Sequence, residues 1–554
     1  MPTISNILDR DVFQYQLAAI AEEMSAALRR SAFSPIIWDM LDYSCALFAP
    51  HGEMLAQAET IPAQLGVMTY AFEGMIKDIP LDTWRPGDVL ICNDPYRGCT
   101  HTPDIVLMSP VFVEGQLMAV TATVAHHVDI GGKLPSTTAP DNLEVFAEGL
   151  LFPPMHVVRE GVQNDTVFRF ISGNVRNPRA CTGDLIAQIA GCRTGEKRVA
   201  ALVERYGVER FSELVRDTLD YGERYVRNAI AAIPDGMRTA EVFIEDDISS
   251  DEPIRLAVSV SIEGEKVKVD FSGSDKQRRN ALNCPLASTY SMTLYAIRCM
   301  TDMQALSNGG CNRPVEITVP PGSFLNPARP AAVGNRHYAQ QAVADVVLKV
   351  MAELLPGRSA AGCHISFPTF RAGGFDARPE IIARYGEPRY FIVHDIIGGG
   401  MGGYAGGDGL PAVDTHGGNC GVLSAEVVET TSPVRILRSE LIEGSGGDGA
   451  YRGGLAMRRE YELLSDNLMV SVFHQQGSDS TAPWGFKGGG RGRPAGAMLN
   501  PGTPGARKLS TKEISLPVGK GDVLRLESAG GGGWGDPSSR SEERRALDLA
   551  ERYV

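Results

Sequence analysis

The 554-residue chain lacks the sequence features of membrane and secreted proteins. It has no run of about 18 apolar residues, which a membrane-spanning helix would require. Its N-terminus has neither a basic start nor an apolar stretch followed by small residues, so no secretory signal is predicted. We therefore expect a cytoplasmic protein with no membrane partner.

Paired cysteines and basic runs are also missing. The ten cysteines never occur as a Cys-x-x-Cys pair, which argues against a thiolate zinc site and is typical of buried, reduced thiols. The 53 lysines and arginines are outnumbered by 67 aspartates and glutamates, and the formal net charge is −14. Because no basic run with interleaved aromatic residues occurs, nucleic acid is not an expected partner.

Two common catalytic motifs are absent. The Walker A loop does not occur, so we expect that another chain binds ATP if the reaction uses it. The nucleophilic-serine motif Gly-x-Ser-x-Gly does not occur either, and His394-Asp395 has no evident serine partner. These absences disfavour an independent ATPase and a serine hydrolase.

Glycine, by contrast, is abundant, with 61 residues in the chain. The pattern Gly-x-Gly-x-x-Gly begins at Gly398, Gly444 and Gly530, but so many glycines produce it easily. A dinucleotide site needs a strand before the motif, a helix directly after it and then a further strand, and none of the three provides this order. We interpret these glycines as positive-φ residues in turns and bulges of a β-rich region.

Apolar periodicity predicts both helices and strands. Helices are predicted at residues 13–28, 184–206, 211–233, 343–354 and 541–554. Strands are predicted at residues 36–48, 53–57, 238–244, 254–262, 266–271, 390–397, 434–442, 468–473 and 523–526, and a hairpin at 104–127. No fixed-period repeat occurs, which argues against a solenoid.

These elements predict an α+β fold with several domains, mixed or antiparallel sheets and a glycine-rich, β-rich C-terminal region. Chain length alone favours roughly three domains. We predict an N-terminal α+β region at residues 1–235, a middle α+β region at 236–378 and the glycine-rich region at 379–554.

Residues 93–132 hold the most informative group of polar side chains. His101 precedes the predicted hairpin, Asp104 begins it, and the pair His126-His127 ends it. With a turn at 114–115, these ends would lie about 5 Å apart, and imidazole and carboxylate groups are usual ligands of divalent metals. A two-residue loop would put His127 on the face of Asp104 and a three-residue loop His126, so both histidines stay candidates.

Two further carboxylates could complete this cluster. Asp129 follows the histidine pair, and Asp42 lies in an otherwise apolar predicted strand, where a carboxylate is costly unless it is paired or binds a ligand. The alternative is that the cluster is simply a polar sheet edge. Residue types alone leave both interpretations open.

Eight motifs, in order along almost the whole chain, resemble those of the hydantoinase B/oxoprolinase family. They lie at residues 41–48, 93–96, 100–105, 126–132, 148–154, 174–176, 444–454 and 530–537. This family comprises the B-type subunits of ATP-dependent hydantoinases and 5-oxoprolinases and is related to acetone and acetophenone carboxylase subunits. The chain departs from the family pattern at Gln64, where histidine is usual, and at 418–424.

The resemblance implies the following site residues. Asp42, His101, Asp104 and His126 would hold one divalent ion, for which zinc, manganese and iron are all suitable. His127 and Asp129 would be catalytic, orienting a ligand or moving a proton. Beyond the resemblance, we expect Arg176 or Arg97 to meet a phosphate as a bidentate donor.

The resemblance also implies a hetero-oligomer with an A-type, ATP-binding subunit. That partner would phosphorylate a cyclic amide such as a hydantoin, 5-oxoproline or a lactam, and this chain would open the ring with metal-activated water. The alternatives are a subunit of an ATP-dependent ketone carboxylase and a non-catalytic scaffolding paralogue.

Overall fold

The helices and strands are taken from a computed structural model, which describes residues 4–301 and 307–554. In these residues there are eleven α-helices: α1 (Ile4–Ser31), α2 (Pro35–Trp38), α3 (Pro62–Asp78), α4 (Asp165–Ser172), α5 (Pro178–Tyr206), α6 (Val208–Ala231), α7 (Leu286–Met300), α8 (His337–Leu354), α9 (Pro379–Tyr385), α10 (Ala425–Thr431) and α11 (Glu542–Ala550). No helix in the described part of the chain is long and apolar enough to cross a membrane.

The same residues contain twenty β-strands: β1 (Tyr43–Phe48), β2 (Met54–Gln57), β3 (Val89–Cys92), β4 (Asp104–Val113), β5 (Gln116–His126), β6 (Met155–Arg159), β7 (Val162–Gln163), β8 (Gly236–Ile244), β9 (Ile254–Glu263), β10 (Lys266–Asp270), β11 (Val315–Thr318), β12 (Thr369–Asp376), β13 (Arg389–Ile396), β14 (Val434–Leu441), β15 (Met457–Leu463), β16 (Met469–Phe473), β17 (Gly496–Leu499), β18 (Arg507–Lys508), β19 (Lys512–Leu516) and β20 (Val523–Glu527). They form four sheets, and the predicted α+β, multi-domain class is confirmed.

The first sheet is antiparallel and has the strand order β2-β1-β5-β4-β3-β6-β7. Successive residues of β1 alternate between two cores, as the period of two in a strand requires. Cys45 and Leu47 pack with helices α1, α5 and α6. Ala46 and Phe48 pack with α3 on the opposite face. The sheet is therefore covered by helices on both sides.

The predicted hairpin within this sheet is confirmed. The turn at 114–115 has positive φ at both residues, as in a type I′ turn. A β-bulge at 111–112 then shifts the register by one residue. As a result Asp104 lies opposite His126. An unbulged two-residue turn would have placed Ala125 opposite Asp104, with His127 on the same face as Asp104.

The predicted strand at 36–48 is partly wrong. Pro35 begins the short helix α2, and the Ser34 hydroxyl accepts a hydrogen bond from the backbone N–H of Ile36. A proline after an N-capping serine is a strong local start signal for a helix, and it outweighs the apolar run. Strand β1 begins only at Tyr43, so Asp42 lies just before the sheet and not within it.

The second sheet has the order β11-β10-β9-β8, with β10 and β11 parallel and the other pairs antiparallel. Helices α7 and α8 cover it. The valines predicted to face the core from α8, Val343, Val346, Val347 and Val350, are all fully buried. Helix α8 begins six residues before its predicted start, and this extra N-terminal turn reaches the candidate site.

The third sheet has the order β13-β12-β16-β19, and the fourth β14-β15-β20-β17-β18. They share an apolar core with the α5 face of the first sheet, in which the rings of Phe370 and Tyr461 stack 4.2 Å apart. Strand β12 precedes residue 379, the predicted start of the C-terminal region, but pairs with β13 and β16 beyond it. The three predicted regions are therefore linked by shared sheets and cores.

The interpretation of the three glycine motifs is mostly wrong. Of their nine glycines only Gly444 and Gly535 have positive φ. The others are needed because segments 398–403, 444–454, 484–492 and 529–535, here called the glycine stack, pack backbone against backbone. A Cβ atom on Gly400, for example, would overlap the backbone of Gly454 and Gly531.

Candidate metal centre

The polar cluster lies where the central hairpin of the first sheet opens. β4 begins at Asp104 and β5 ends at His126, and the two residues are cross-strand partners. His101 is brought beside them by a tight turn in which the Asp104 N–H donates to the His101 carbonyl over 3.1 Å. Side chains that are 22 and 25 residues apart in sequence therefore meet.

The three side chains turn their ligand atoms toward one another. Asp104 Oδ1 lies 3.0 Å from His101 Nε2 and 2.8 Å from His126 Nδ1, and these two nitrogens are 3.2 Å apart. All three residues are buried, and their ligand atoms lie within 4.8 Å of one another. Among the described residues, no other group of three or more histidine, cysteine, aspartate or glutamate side chains meets this distance. They form the nucleus of the site.

The protonation of His101 shows why a cation fits here. Its Nδ1 lies 2.8 Å from the Gly334 carbonyl, which can only accept, so Nδ1 carries the proton. Burial, followed by the charge of Arg336, lowers the pKa of His101 to about 4, and the ring is neutral at pH 7. Nε2 then faces the Asp104 carboxylate with a lone pair. Two such acceptors repel unless a cation lies between them, so the donor set fits a divalent metal.

The Gly334 carbonyl is itself held in place. The buried carboxyl group of Glu148 accepts hydrogen bonds from the backbone N–H groups of Val333, over 3.0 Å, and Gly334, over 2.6 Å. Burial, opposed by these bonds, raises the pKa of Glu148 to about 8. Glu148 thereby fixes the loop that orients His101, as the outer partners of metal-binding histidines commonly do.

Asp104 is anchored from its other oxygen. Thr100 Oγ1 donates to Asp104 Oδ2 over 2.5 Å, and Arg336 Nη2 donates to the same atom over 2.8 Å. Oδ1 is left to face the two histidines. The carboxylate is thus oriented before any ligand arrives.

Asp42 lies at the edge of the cluster. Its Oδ2 is 3.8 Å from His126 Nδ1, and its Oδ1 accepts a hydrogen bond from Gln64 Nε2 over 2.7 Å. Burial raises the pKa of Asp42 to about 6, while the charge of His126 opposes this shift. Gln64, the residue that departs from the family pattern, therefore orients the carboxylate predicted as the fourth ligand.

His127 and Asp129, the predicted catalytic residues, lie elsewhere. Because neighbouring residues of a strand face opposite sides, His127 points toward α5, where its Nε2 is 2.9 Å from Gln188 Oε1. Asp129 accepts hydrogen bonds from the backbone and guanidinium of Arg176 over 2.9 and 2.8 Å. The structure does not place either side chain on the pocket described below, and their catalytic roles stay predictions.

The two arginines predicted to meet a phosphate are already paired with carboxylates. Arg176 binds Asp129, and Arg97 forms an ion pair with Asp78. Neither lines the pocket at the metal cluster. The cationic side chains of that pocket are Arg336 and Arg371 instead.

This metal-site pocket encloses a cavity of about 60 Å³. Its walls come from the ends of β4 and β5, the N-terminal turns of α3 and α8, strands β12 and β13 and the loop at 414–420. Several buried polar atoms in these walls have no hydrogen-bond partner, among them His126 Nε2, Arg336 Nε, His337 Nε2, Gln340 Oε1, Gln341 Oε1, Arg371 Nε and His394 Nε2. Because such atoms are costly to bury, the pocket is suited to a polar ligand.

Sequence reasoning missed the far wall of this pocket. Arg336 and His337 stand at the start of α8, seven and six residues before the predicted helix start. Arg371 lies in β12, a strand that was not predicted. His394 was noticed only as a possible partner of a catalytic serine. Its Nδ1 lies 2.9 Å from Ser136 Oγ, and its ring centroid is 5.6 Å from that of His126.

Comparison with known proteins gives matches that extend over almost the whole chain. The sequence model of the hydantoinase B/oxoprolinase family matches residues 7–537. A Pseudomonas sp. protein, named provisionally as the B-type subunit of a D-/L-hydantoinase, is 31% identical over 556 residues, which cover 97% of this chain and 91% of that protein. The ATP-dependent caprolactamase from Pseudomonas jessenii matches with a TM-score of 0.91 and 27% identity over 99% of this chain and 94% of its own.

A more distant structure shares the fold. The nucleotide-free structure of acetone carboxylase superposes with a TM-score of 0.90 at 20% identity, over 98% of this chain and 78% of that chain. At this identity the likeness concerns the fold alone.

Proposed function

The chain belongs to the hydantoinase B/oxoprolinase family, and from this premise we propose that it is the B-type subunit of an ATP-dependent hydrolase of cyclic amides. The observation that carries the proposal is the buried triplet His101, Asp104 and His126, with the His101 Nε2 lone pair 3.0 Å from a carboxylate oxygen. The likeness to a caprolactamase over 99% of the chain supports a lactam-type substrate.

In this proposal His101, Asp104, His126 and Asp42 hold one divalent cation, zinc, manganese or iron. When bound, the cation supplies a Lewis acid that polarises a carbonyl oxygen and lowers the pKa of water. Gly334 and Arg336 keep the ligand atoms of His101 and Asp104 directed inward.

The other pocket residues select the substrate. Gln340 and Gln341 present buried amide oxygens without partners, and either can accept a hydrogen bond from the ring N–H of a cyclic amide. The Gln341 amide nitrogen donates to the Thr415 carbonyl over 3.3 Å, which keeps its oxygen available. A ring with an N–H group would satisfy an atom that is otherwise costly to bury.

ATP enters the proposal through an A-type partner. An amide carbonyl is a poor electrophile, and phosphorylation of its oxygen makes the carbon open to attack by water. The C–N bond of the adduct then breaks and releases the ring amine, and a second water hydrolyses the resulting acyl phosphate to the carboxylate and inorganic phosphate. Since the chain has no Walker A loop, we assign ATP binding to the partner in a hetero-oligomer. The activated substrate is then hydrolysed in the pocket of this chain.

The direct test uses the chain co-purified with its A-type partner. The complex is incubated with ATP and, separately, a hydantoin, 5-oxoproline, ε-caprolactam, and a ketone with bicarbonate, and ADP and the opened amide are measured. We expect ADP and the ring-opened product in equal amounts with one cyclic amide. ADP formation only with the ketone and bicarbonate would instead identify a carboxylase component, and no turnover with any substrate would favour a scaffolding role.

A further inference from the structure

Arg371 is a buried cation without a counter-ion. Its side chain lines the metal-site pocket, and the residue is only 4% exposed. Nη1 donates to the Thr138 carbonyl over 2.7 Å, and the guanidinium carbon lies 5.2 Å from the ring centroid of Phe473. Burial lowers the pKa of Arg371 to about 10, so the group keeps its charge at pH 7.

The other buried arginines show that this is unusual. Arg10, Arg336, Arg452 and Arg459 are buried to a similar degree, and each lies within 3.2 Å of a carboxylate oxygen. In the described part of the chain, Arg371 forms no ion pair with a carboxylate. A buried charge without a partner destabilises the fold, because the lost hydration is not replaced by a counter-ion. This destabilisation is offset when an anion binds.

The surroundings of Arg371 offer further buried nitrogen atoms that can donate a hydrogen bond. Arg336 Nε, His337 Nε2 and His394 Nε2 line the same pocket, and each is buried without a hydrogen-bond partner. His337 is also the first residue of α8, whose N-terminal end carries the positive pole of an 18-residue helix. The guanidinium groups, imidazoles and helix end therefore favour the same type of ligand, an oxyanion.

We propose that Arg371, together with Arg336, His337, His394 and the N-terminus of α8, forms an oxyanion subsite beside the metal centre. A planar guanidinium binds a phosphate or carboxylate group through two parallel hydrogen bonds. The assignment of a substrate group rests on the proposed function: the oxyanion is the phosphoryl group of the activated amide or a carboxylate of the same substrate. The subsite would hold this group while the amide carbon faces the ligands of the metal.

The subsite is tested by anion binding to the full-length protein. Inorganic phosphate and acetate are titrated by calorimetry into the wild type and into Arg371→Met, at metal contents matched by elemental analysis. We expect at least one anion to bind the wild type, and its affinity to fall at least tenfold in Arg371→Met. The anion that binds more tightly identifies the phosphoryl or the carboxylate source. Equal affinity in the two proteins would overturn the subsite.

Thermal unfolding without added anion separates binding from folding. Since Arg371→Met removes an unpaired buried charge, we expect its Tm to equal or exceed that of the wild type. Arg459→Met is the matched control, because it leaves Asp395 without the cation that lies 3.2 Å away, and its Tm should fall. A Tm of Arg371→Met that falls as far as that of Arg459→Met would show a structural role and contradict the proposal.

Failure of the subsite can be distinguished from failure of the proposed function. If no cyclic amide is hydrolysed by the wild-type complex but anion binding still depends on Arg371, only the proposed function fails. If hydrolysis occurs and Arg371→Met changes neither the KM for the amide nor the affinity for the anion, only the subsite fails. An increase in KM of at least tenfold, with metal content unchanged, supports both.

Discussion

The metal-site pocket and the glycine stack are both buried, but they are built in opposite ways. The pocket is lined by ionisable side chains, several of which have buried atoms without hydrogen-bond partners. In the stack, a Cβ atom added to most of the glycines would meet backbone atoms of another segment, and the peptide groups bond to one another across segments. Gly403 N donates to Gly532 O over 2.8 Å, and Gly531 N to Gly454 O over 2.9 Å.

This difference indicates that the pocket binds a ligand, whereas the glycine stack supports the fold around it. The unpaired atoms of the pocket destabilise the empty protein and are available for a ligand. In the stack the backbone groups bond to one another, and most of the glycines leave no room for a side chain. The stack contacts the site through Trp484, whose indole N–H donates over 2.8 Å to Asp345 of α8, the helix that begins at the pocket. We infer that the stack holds α8 in place.

Replacement of His101 by alanine should have the largest effect, and it tests whether the pocket binds a metal. We expect metal content to be lost and ATP-dependent hydrolysis by the complex to fall at least about 1,000-fold, because the proposed function makes His101 a direct ligand. Elemental analysis and ADP release measure the two effects. His51→Ala, at an exposed histidine paired only with Glu53, is the matched control. Equal metal content in His101→Ala and the wild type would refute the metal assignment.

Gly400→Ala tests whether the glycine stack stabilises the fold through close backbone packing. The added Cβ would overlap the backbone of Gly454 and Gly531, so we expect the free energy of unfolding to fall by about 3 kcal/mol or more. Denaturant unfolding measures the change. Gly496→Ala is the control, since no atom lies within 4 Å of its added Cβ. Similar stability of the two variants would show that the stack tolerates side chains.

Gly334→Ala tests a glycine that supports the metal centre. Its carbonyl orients His101, a proposed metal ligand. The added Cβ would stand 2.8 Å from Glu148 Oε1 and would disturb the loop whose carbonyl orients His101. We expect metal affinity to fall about tenfold, the usual effect of losing an outer partner, while the protein stays folded. Metal titration against a competing chelator measures this, and Gly357→Ala, with open space around its Cβ, should bind as the wild type does.

The raised pKa of Glu148 predicts that the free energy of unfolding changes gradually with pH. Burial raises this pKa from an ordinary value of 4.5 to about 8, so folding takes up a proton between these values. The stability that this group provides is complete below about pH 4.5 and is lost as the pH rises through 8, at up to about 1.4 kcal/mol per pH unit.

Denaturant unfolding of chelator-treated protein from pH 5 to 8 measures this slope. Glu148→Gln keeps the shape of the side chain but cannot ionise, so its curve should be flatter by the same amount. A slope unchanged in Glu148→Gln would show that other groups cause the pH dependence.

Local patterns in the sequence were sufficient for much of the fold. The spacing of Phe13, Leu17, Met24 and Leu28 predicted α1, and alternation around 114–115 predicted the central hairpin. The local patterns gave a wrong prediction where two signals disagreed. At Pro35 a helix start signal precedes an apolar run that is typical of a strand, and the helix forms. The local patterns also failed for the glycines, because close packing between distant backbones leaves no local trace.

The sequence by itself determined which chemical groups the hairpin would bring together: imidazoles and carboxylates at the ends of two strands joined by a tight turn. Turn residues and side-chain alternation act over a few residues and can be recognised locally. Only the tertiary structure decided that a bulge sets His126 opposite Asp104, and that Arg336 and Arg371, more than 200 residues further along the chain, form the opposite wall. Those positions depend on how sheets and helices pack, and packing joins residues irrespective of their distance in sequence.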